Sequence, residues 1–229
     1  MRPRVRFALM LFVLASPGAS PGIEPIRIDK TEGYESPCWS PDGHRLAYAW
    51  WRRGLSGGET GNVAVRDLAT GQTTTPQALP TVPIPRGSGA RVTHPCWSAD
   101  EASLFVTVRD AYWQVSFDSW DVLPASLPFP AGTRSPSEWS PNGQDHIVSL
   151  TRNGQTDLWI ERPSTGGLWQ LTNDPDVESE PDWSPDGTHI AYVAWWDPVY
   201  GETEIRIITD PHPTAVVPTS LSSVKARYR

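Results

Sequence analysis

The sequence predicts an all-β chain folded as four similar sheets, and three observations predict it. Composition is the first. Among 229 residues are 24 Pro, 18 Gly and 12 Trp, residues that punctuate turns or favour strands and leave little room for long helices. A repeat is the second: Pro37-Cys38-Trp39-Ser40-Pro41-Asp42-Gly43, Pro95-Cys96-Trp97-Ser98-Ala99-Asp100, Ser137-Glu138-Trp139-Ser140-Pro141-Asn142-Gly143 and Pro181-Asp182-Trp183-Ser184-Pro185-Asp186-Gly187 share one core. The third is its period, with 58, 42 and 44 residues between successive tryptophans. Repeats of about 40–45 residues with a Trp-Asp-like signature mark the four-stranded blades of a β-propeller.

Residues 1–22 read as an export signal. Arg2, Arg4 and Arg6 precede an apolar run from Phe7 to Ala15, and small residues follow from Ser16 to Gly22. Nine apolar residues are too few to span a bilayer, which needs about 20. No second apolar segment is long enough, so no membrane span is expected after signal removal. The mature chain then carries 16 basic and 26 acidic side chains, a net charge of −10. That charge disfavours nucleic acid, whose phosphates need a basic surface. The expected location is the periplasm or the secreted space, with cleavage between about Ser16 and Gly22.

Residues 23–210 hold the blades, near 34–80, 92–125, 134–173 and 178–210 plus 25–30, and residues 211–229 form a C-terminal tail. Ser-Pro-Asp-Gly fits a type I turn, with Ser first, Pro fixing φ at the second position and Gly closing the fourth. Second strands follow at Leu46–Trp50, Leu104–Val108, His146–Leu150 and Ile190–Ala194. Third strands follow at Asn62–Arg66, Trp113–Phe117, Asp157–Glu161 and Glu204–Ile208. Outer strands fit near Thr73–Ala78, Trp120–Leu123 and Leu168–Thr172. The fourth repeat lacks one, and the N-terminal stretch Ile26-Arg27-Ile28-Asp29-Lys30 matches Trp169-Gln170-Leu171-Thr172-Asn173. Pro25 to Ile28 is therefore expected to pair beside Glu204 to Ile208 and close the ring, removing exposed strand edges. Gln72 to Thr93, with four prolines, reads as a long surface loop and a candidate partner contact.

These cores, followed by Ile-Ala-Tyr and a later Ile-x-Ile strand, resemble the WD-like repeats of TolB-like propellers over roughly residues 26 to 210. The resemblance implies the blade module and, through the family's envelope members, a protein partner. Family propellers commonly have six or more blades, and TolB itself carries a further α/β domain. The resemblance therefore carries over the module rather than a pathway. A closed monomer and a self-assembled ring both fit the four repeats.

The sequence has no His-Glu-x-x-His and no phosphate loop, and its two Gly-x-Ser-x-Gly stretches, Gly18–Gly22 and Gly54–Gly58, lie in the proposed signal and in a Gly-rich stretch after a second strand rather than at a strand-to-helix elbow. Superposing the repeats sets Cys38, Cys96, Glu138 and Asp182 in equivalent places, with His94 and Glu180 two residues upstream in their own copies. If these side chains faced the channel, thiolates, imidazole and carboxylates would offer a divalent-metal donor set. The plainer reading is a wet channel lined by small and acidic residues, with no metal, cofactor or catalytic residue. A Cys38–Cys96 disulfide needs Cα atoms within roughly 7 Å, whereas packed sheets lie about 10 Å apart, which favours separate thiols unless the strands converge. Trp50-Trp51 and Trp195-Trp196 end second strands in the first and fourth copies, and Trp51 and Trp196 are candidate partner contacts. The expected function is a non-enzymatic, exported protein- or peptide-binding module. The alternative is a propeller-type hydrolase or lyase, or a carbohydrate-binding protein, with its site at the channel mouth.

Overall fold

The computed structural model describes residues 23–26, 32–53, 59–75, 92–108, 111–117, 119, 121–126, 138–197, 202–209 and 211. The proposed signal, most of the Gln72–Thr93 loop and the tail beyond 211 lie outside the described residues. Strands in chain order are β1 (Ile23–Ile26), β2 (Glu32–Trp39), β3 (Arg45–Arg53), β4 (Glu59–Asp67) and β5 (Thr73–Thr74). Next come β6 (Val92–Trp97), β7 (Ser103–Val108), β8 (Ala111–Ser116), β9 (Val122–Ala125) and β10 (His146–Arg152). Then follow β11 (Gln155–Arg162), β12 (Gly167–Gln170), β13 (Val177–Trp183), β14 (His189–Asp197) and β15 (Glu202–Thr209). Among the described residues no helix is long and apolar enough to cross a membrane.

The repeated turn forms as its residues dictate. Gly43 N donates to Ser40 O at 2.9 Å, Gly143 N to Ser140 O at 2.8 Å and Gly187 N to Ser184 O at 3.0 Å. The closing glycines sit at φ 75°, 68° and 75°, where a side chain would be strained. The second copy has no glycine there, and Glu101 takes φ 59° instead while its carboxylate pairs with Arg45 of the first copy. Each turn serine also donates its hydroxyl to the Asp or Asn two residues on, at 2.5, 2.6, 2.8 and 2.6 Å in chain order. The repeat is thus a self-bonded unit that reverses the chain before any sheet packs on another.

Four antiparallel sheets result, taken here in repeat order: sheet 1 is β2-β3-β4-β5, sheet 2 β6-β7-β8-β9, sheet 3 β10-β11-β12 and sheet 4 β13-β14-β15-β1. The N-terminal strand completes sheet 4, with Ile23 opposite Ile208 and Ile26 opposite Ile205, slightly upstream of the stretch the sequence suggested. Deleting residues 23–30 should cost on the order of 2 kcal/mol, a few ladder hydrogen bonds, read as a lower urea midpoint. An unchanged midpoint would show that the edge of β15 needs no partner. Sheet 3 departs from the four-stranded expectation. Its inner strand is marked only by a bridge between Trp139 and His146, and residues 127–137 lie outside the described set.

Three shared cores join the sheets in a row. Trp97, Leu104 and Val106 of sheet 2 pack with Cys38, Ala47, Val63 and Val65 of sheet 1. Trp39, Leu46 and Tyr48 of sheet 1 pack with Ala191, Ile205 and Ile207 of sheet 4. Trp183, Ile190 and Tyr192 of sheet 4 share a core with Ile147, Leu158 and Ile160 of sheet 3. Sheets 2 and 3 form the ends of this row, and among the described residues no buried cluster joins them. The arrangement is therefore propeller-like but not closed. The N-terminal strand completes its sheet, and among the described residues the shared cores stop short of joining the second and third repeats.

Candidate functional site

A cavity of about 410 Å³ lies where the four inner strands converge, lined by Ser36, Pro37, His94, Glu138, Trp139, Glu180 and Pro181. Every repeat contributes. Its geometry begins with an interruption common to β2, β6 and β13. The pairing register breaks between Glu35 and Cys38, Thr93 and Cys96, and Ser179 and Asp182. The residue before proline in each bulge is left-handed, with Ser36 at φ 53°, His94 at 52° and Glu180 at 52°. Proline supplies no N–H to the ladder, so the bulge falls there. A non-glycine residue held left-handed costs roughly 1–2 kcal/mol, and such strain gathers at functional sites. Here it recurs three times around one cavity.

Among the described residues no Lys or Arg lines the cavity, and the polar groups are two carboxylates, an imidazole and a hydroxyl. Ser36 N donates to Glu180 Oε2 at 2.5 Å, tying sheet 1 to sheet 4. Glu138 Oε2 lies 3.2 Å from His146 Nε2, and Trp139 stacks on that imidazole at 4.6 Å. Trp139 remains 45% exposed, an unusual position for so large an apolar ring.

Of the sequence-predicted cluster, the structure brings Glu138 and His94 to the cavity. Cys38, Cys96 and Asp182 are buried elsewhere. The bulge explains this: it resets the alternation of side chains, so the pre-proline residue meets the axis and the residue after proline enters the sheet packing. Cys38 belongs to the core between sheets 1 and 2, and the two cysteines are not joined in a disulfide. Asp182 Oδ2 accepts from Trp39 N at 2.7 Å, which satisfies a buried carboxylate. Among the described residues no group of three or more His, Cys, Asp or Glu is gathered as a metal requires.

The two aromatic candidates do not share a face. Pairing sets Gly33 opposite Trp51 and Val177 opposite Trp195, so Trp51 corresponds to Trp195, and Trp196 corresponds to Arg52. One residue of offset reverses the face of a strand. Trp51 is 8% exposed and Trp196 44%. The Trp51 indole lies on Gly33, where an added Cβ would stand 2.1 Å from the ring.

Sequence reasoning missed two features. A second cavity of about 490 Å³ lies between sheets 1 and 4, with Trp39, Asp42, His44, Arg66, Asp186 and His189 among its lining residues. The fourth repeat also carries a buried polar network. Arg206 donates to Asp174 at 3.0 Å, to Glu204 at 2.6 Å and to Asp176. Glu178 beside it is fully buried, accepting from Thr172 Oγ1 and from Leu158 N. Burial first, and then Asp174 nearby, pushes the Glu178 carboxyl up to about 8. The run Asp174-Pro-Asp-Val-Glu178 was visible in the sequence, but nothing local showed that Arg206 would meet it.

No protein-family model matches the chain. Among solved structures it is similar to TolB from Acinetobacter baumannii, at 21% identity over 83% of this chain and 45% of that one, with a TM-score of 0.31. A putative TolB from Agrobacterium tumefaciens matches at 17% identity over 82% of this chain and 84% of that one, TM-score 0.32. An oligogalacturonate lyase in complex with manganese matches at 12% identity over 81% and 68%, TM-score 0.26. The chain thus spans less than half the length of the Acinetobacter protein.

Proposed function

We propose that the chain is an exported, non-enzymatic binding module that takes a protein or peptide segment at the axial cavity. The observation that carries this reading is the cavity itself: four repeats meet around it, and three equivalent residues hold strained left-handed backbone at its wall. Strain kept in three copies has no purpose in packing alone, because glycine would adopt the same bulge without it. The lining suits a peptide. Pro37, Pro181 and Trp139 offer rigid apolar contact, while Glu138, Glu180 and His94 offer hydrogen bonds that fix orientation. The basic, apolar and small-residue order of residues 1–22 supports export, and the acidic balance of the remainder supports a soluble life outside the cytoplasm.

The test is selection of peptides from a displayed library on the mature chain, followed by affinity measurement with Glu138→Lys and His94→Gly variants. Loss of affinity by roughly tenfold or more, the effect of a central interface residue, is expected in the Glu138→Lys variant with its melting point preserved. Selected peptides that bind both variants as well as the parent would move the site elsewhere. Turnover of a peptide or oligosaccharide would make the protein an enzyme.

A further inference from the structure

The cavity between sheets 1 and 4 occupies a place that the neighbouring core fills with side chains. Strand pairing gives the equivalences. Leu46 lies opposite Arg66, and Leu104 opposite Val115, so Arg66 corresponds to Val115 and Leu68 to Phe117. Arg45 and His189 correspond likewise, each preceding the apolar residue that pairs with the repeat tryptophan or its neighbour. Between sheets 1 and 2, the Phe117 ring lies 5.4 Å from Trp97 and the Arg45 guanidinium 4.7 Å above it. Val115 is fully buried beside them. Between sheets 1 and 4, the shorter Leu68 and His189 stand in those two places, and a cation replaces the valine. About 490 Å³ is left open next to Trp39, within the range of small-molecule sites.

The charges around this cavity are more than the fold uses. Arg45, Arg162 and Arg206 each pair with a carboxylate. Among the described residues Arg66 reaches no carboxylate, and its contact with Thr73 Oγ1 is long at 3.4 Å. Asp42 and Asp186 line the same cavity. Each serves its own turn through Oδ1, which accepts from Ser40 Oγ and His44 N, or from Ser184 Oγ and Thr188 N. That task needs an acceptor rather than a charge. In the third copy Asn142 performs it, accepting from Ser140 Oγ at 2.8 Å and Gln144 N at 2.9 Å.

We propose that this cavity binds a free amino acid with an apolar side chain, its carboxylate held by Arg66, its ammonium by Asp42 and Asp186, and its side chain by Trp39, Leu68 and Ile207. A lining of both signs selects a ligand of both signs. A simple anion would meet two aspartates, and a simple cation would meet Arg66, whereas a zwitterion satisfies each group with a charge-assisted hydrogen bond. The apolar residues then bury the side chain, and a ring takes the space that Phe117 fills in the neighbouring core. The site shares no lining residue with the axial cavity, so it is separate from the peptide site proposed there.

Titration calorimetry of the full mature chain with phenylalanine, phenylacetate and phenethylamine tests this. Phenylalanine should bind at least roughly tenfold more tightly than either analogue, each of which lacks one of its two charges. Arg66→Gln should weaken phenylalanine by a similar factor and leave phenethylamine unchanged. Asp186→Asn, which keeps the turn as Asn142 does, should weaken phenylalanine and leave phenylacetate unchanged. Leu68→Phe should fill the cavity as Phe117 fills its counterpart and abolish binding without lowering the melting point. Glu138→Lys should bind phenylalanine as the parent does. The comparison of the three compounds on the parent needs no variant to fold. A parent that does not bind phenylalanine at millimolar concentration, an analogue that binds as tightly, or a folded Leu68→Phe chain that binds normally would each overturn the site.

Discussion

Replacing Glu178 with Gln should remove most of the alkaline sensitivity of the folded chain. The Glu178 carboxyl ordinarily titrates near 4.5 and is pushed to about 8 in the fold. Between those values the unfolded chain is ionised at this position while the folded chain holds a proton. The folded state therefore binds more protons, and stability falls as pH rises. The fall begins near pH 4.5, ends near pH 8, and is on the order of 5 kcal/mol in total.

The groups that face Glu178 set this behaviour. Thr172 and Leu158 N, from the chain around β11 and β12, donate to it. Asp174 opposes its charge, and Tyr192 of β14 lies close enough to feel it, its hydroxyl pushed above its ordinary value first by burial and then by Glu178. Arg206 of β15 is committed to Asp174, Asp176 and Glu204, and Asp157 of β11 is raised first by burial and also by Asp174. A glutamine keeps the acceptor and offers Asp174 a donor, so it mimics the protonated acid. Urea midpoints measured from pH 5 to pH 9 should fall steadily for the parent and stay nearly level for Glu178→Gln. Parallel curves would show that another group carries the dependence.

The turns and the three outer-facing strand sets were legible because their causes are local. Ser-Pro-Asp-Gly specifies a reversal within four residues, and the strands on either side follow from period-two patterning. That an N-terminal strand would complete the fourth sheet was also legible, although the strand runs from Ile23 to Ile26 and overlaps the expected Pro25 to Ile28 only at Pro25 and Ile26. The axial residues were harder. Counting back from each tryptophan placed Cys38, Cys96 and Asp182 at the axis, and an unbroken ladder would have put them there. The bulge at each proline shifts the face by one residue, and its signal was the proline itself. The slip between Trp51 and Trp196 is of the same kind, a single residue that reverses a side chain. The Glu178 network depends on β12, β13, β14 and β15 meeting, a tertiary fact with no local trace. The exposure of Trp139 was equally hidden, since it carries the same motif as its three buried counterparts.

That difference yields the second large effect. Trp97→Ala should destabilise the chain by about 3–5 kcal/mol, the usual cost of removing a buried aromatic from a core. Its indole is fully buried, donates to Cys38 O at 3.0 Å, lies 5.4 Å from the Phe117 ring and holds the Arg45 guanidinium 4.7 Å above its face. Truncation would leave a void between sheets 1 and 2 and strip Arg45 of its apolar support. Trp139→Ala, in the same motif one repeat later, should cost less than about 1 kcal/mol, as for a surface position. Its ring stacks on His146 at 4.6 Å and is 45% exposed. Both values come from urea unfolding of matched variants. Equal losses at the two positions would mean that Trp139 is packed as tightly as Trp97. A loss confined to Trp97 would locate the stability of the fold in its three shared cores.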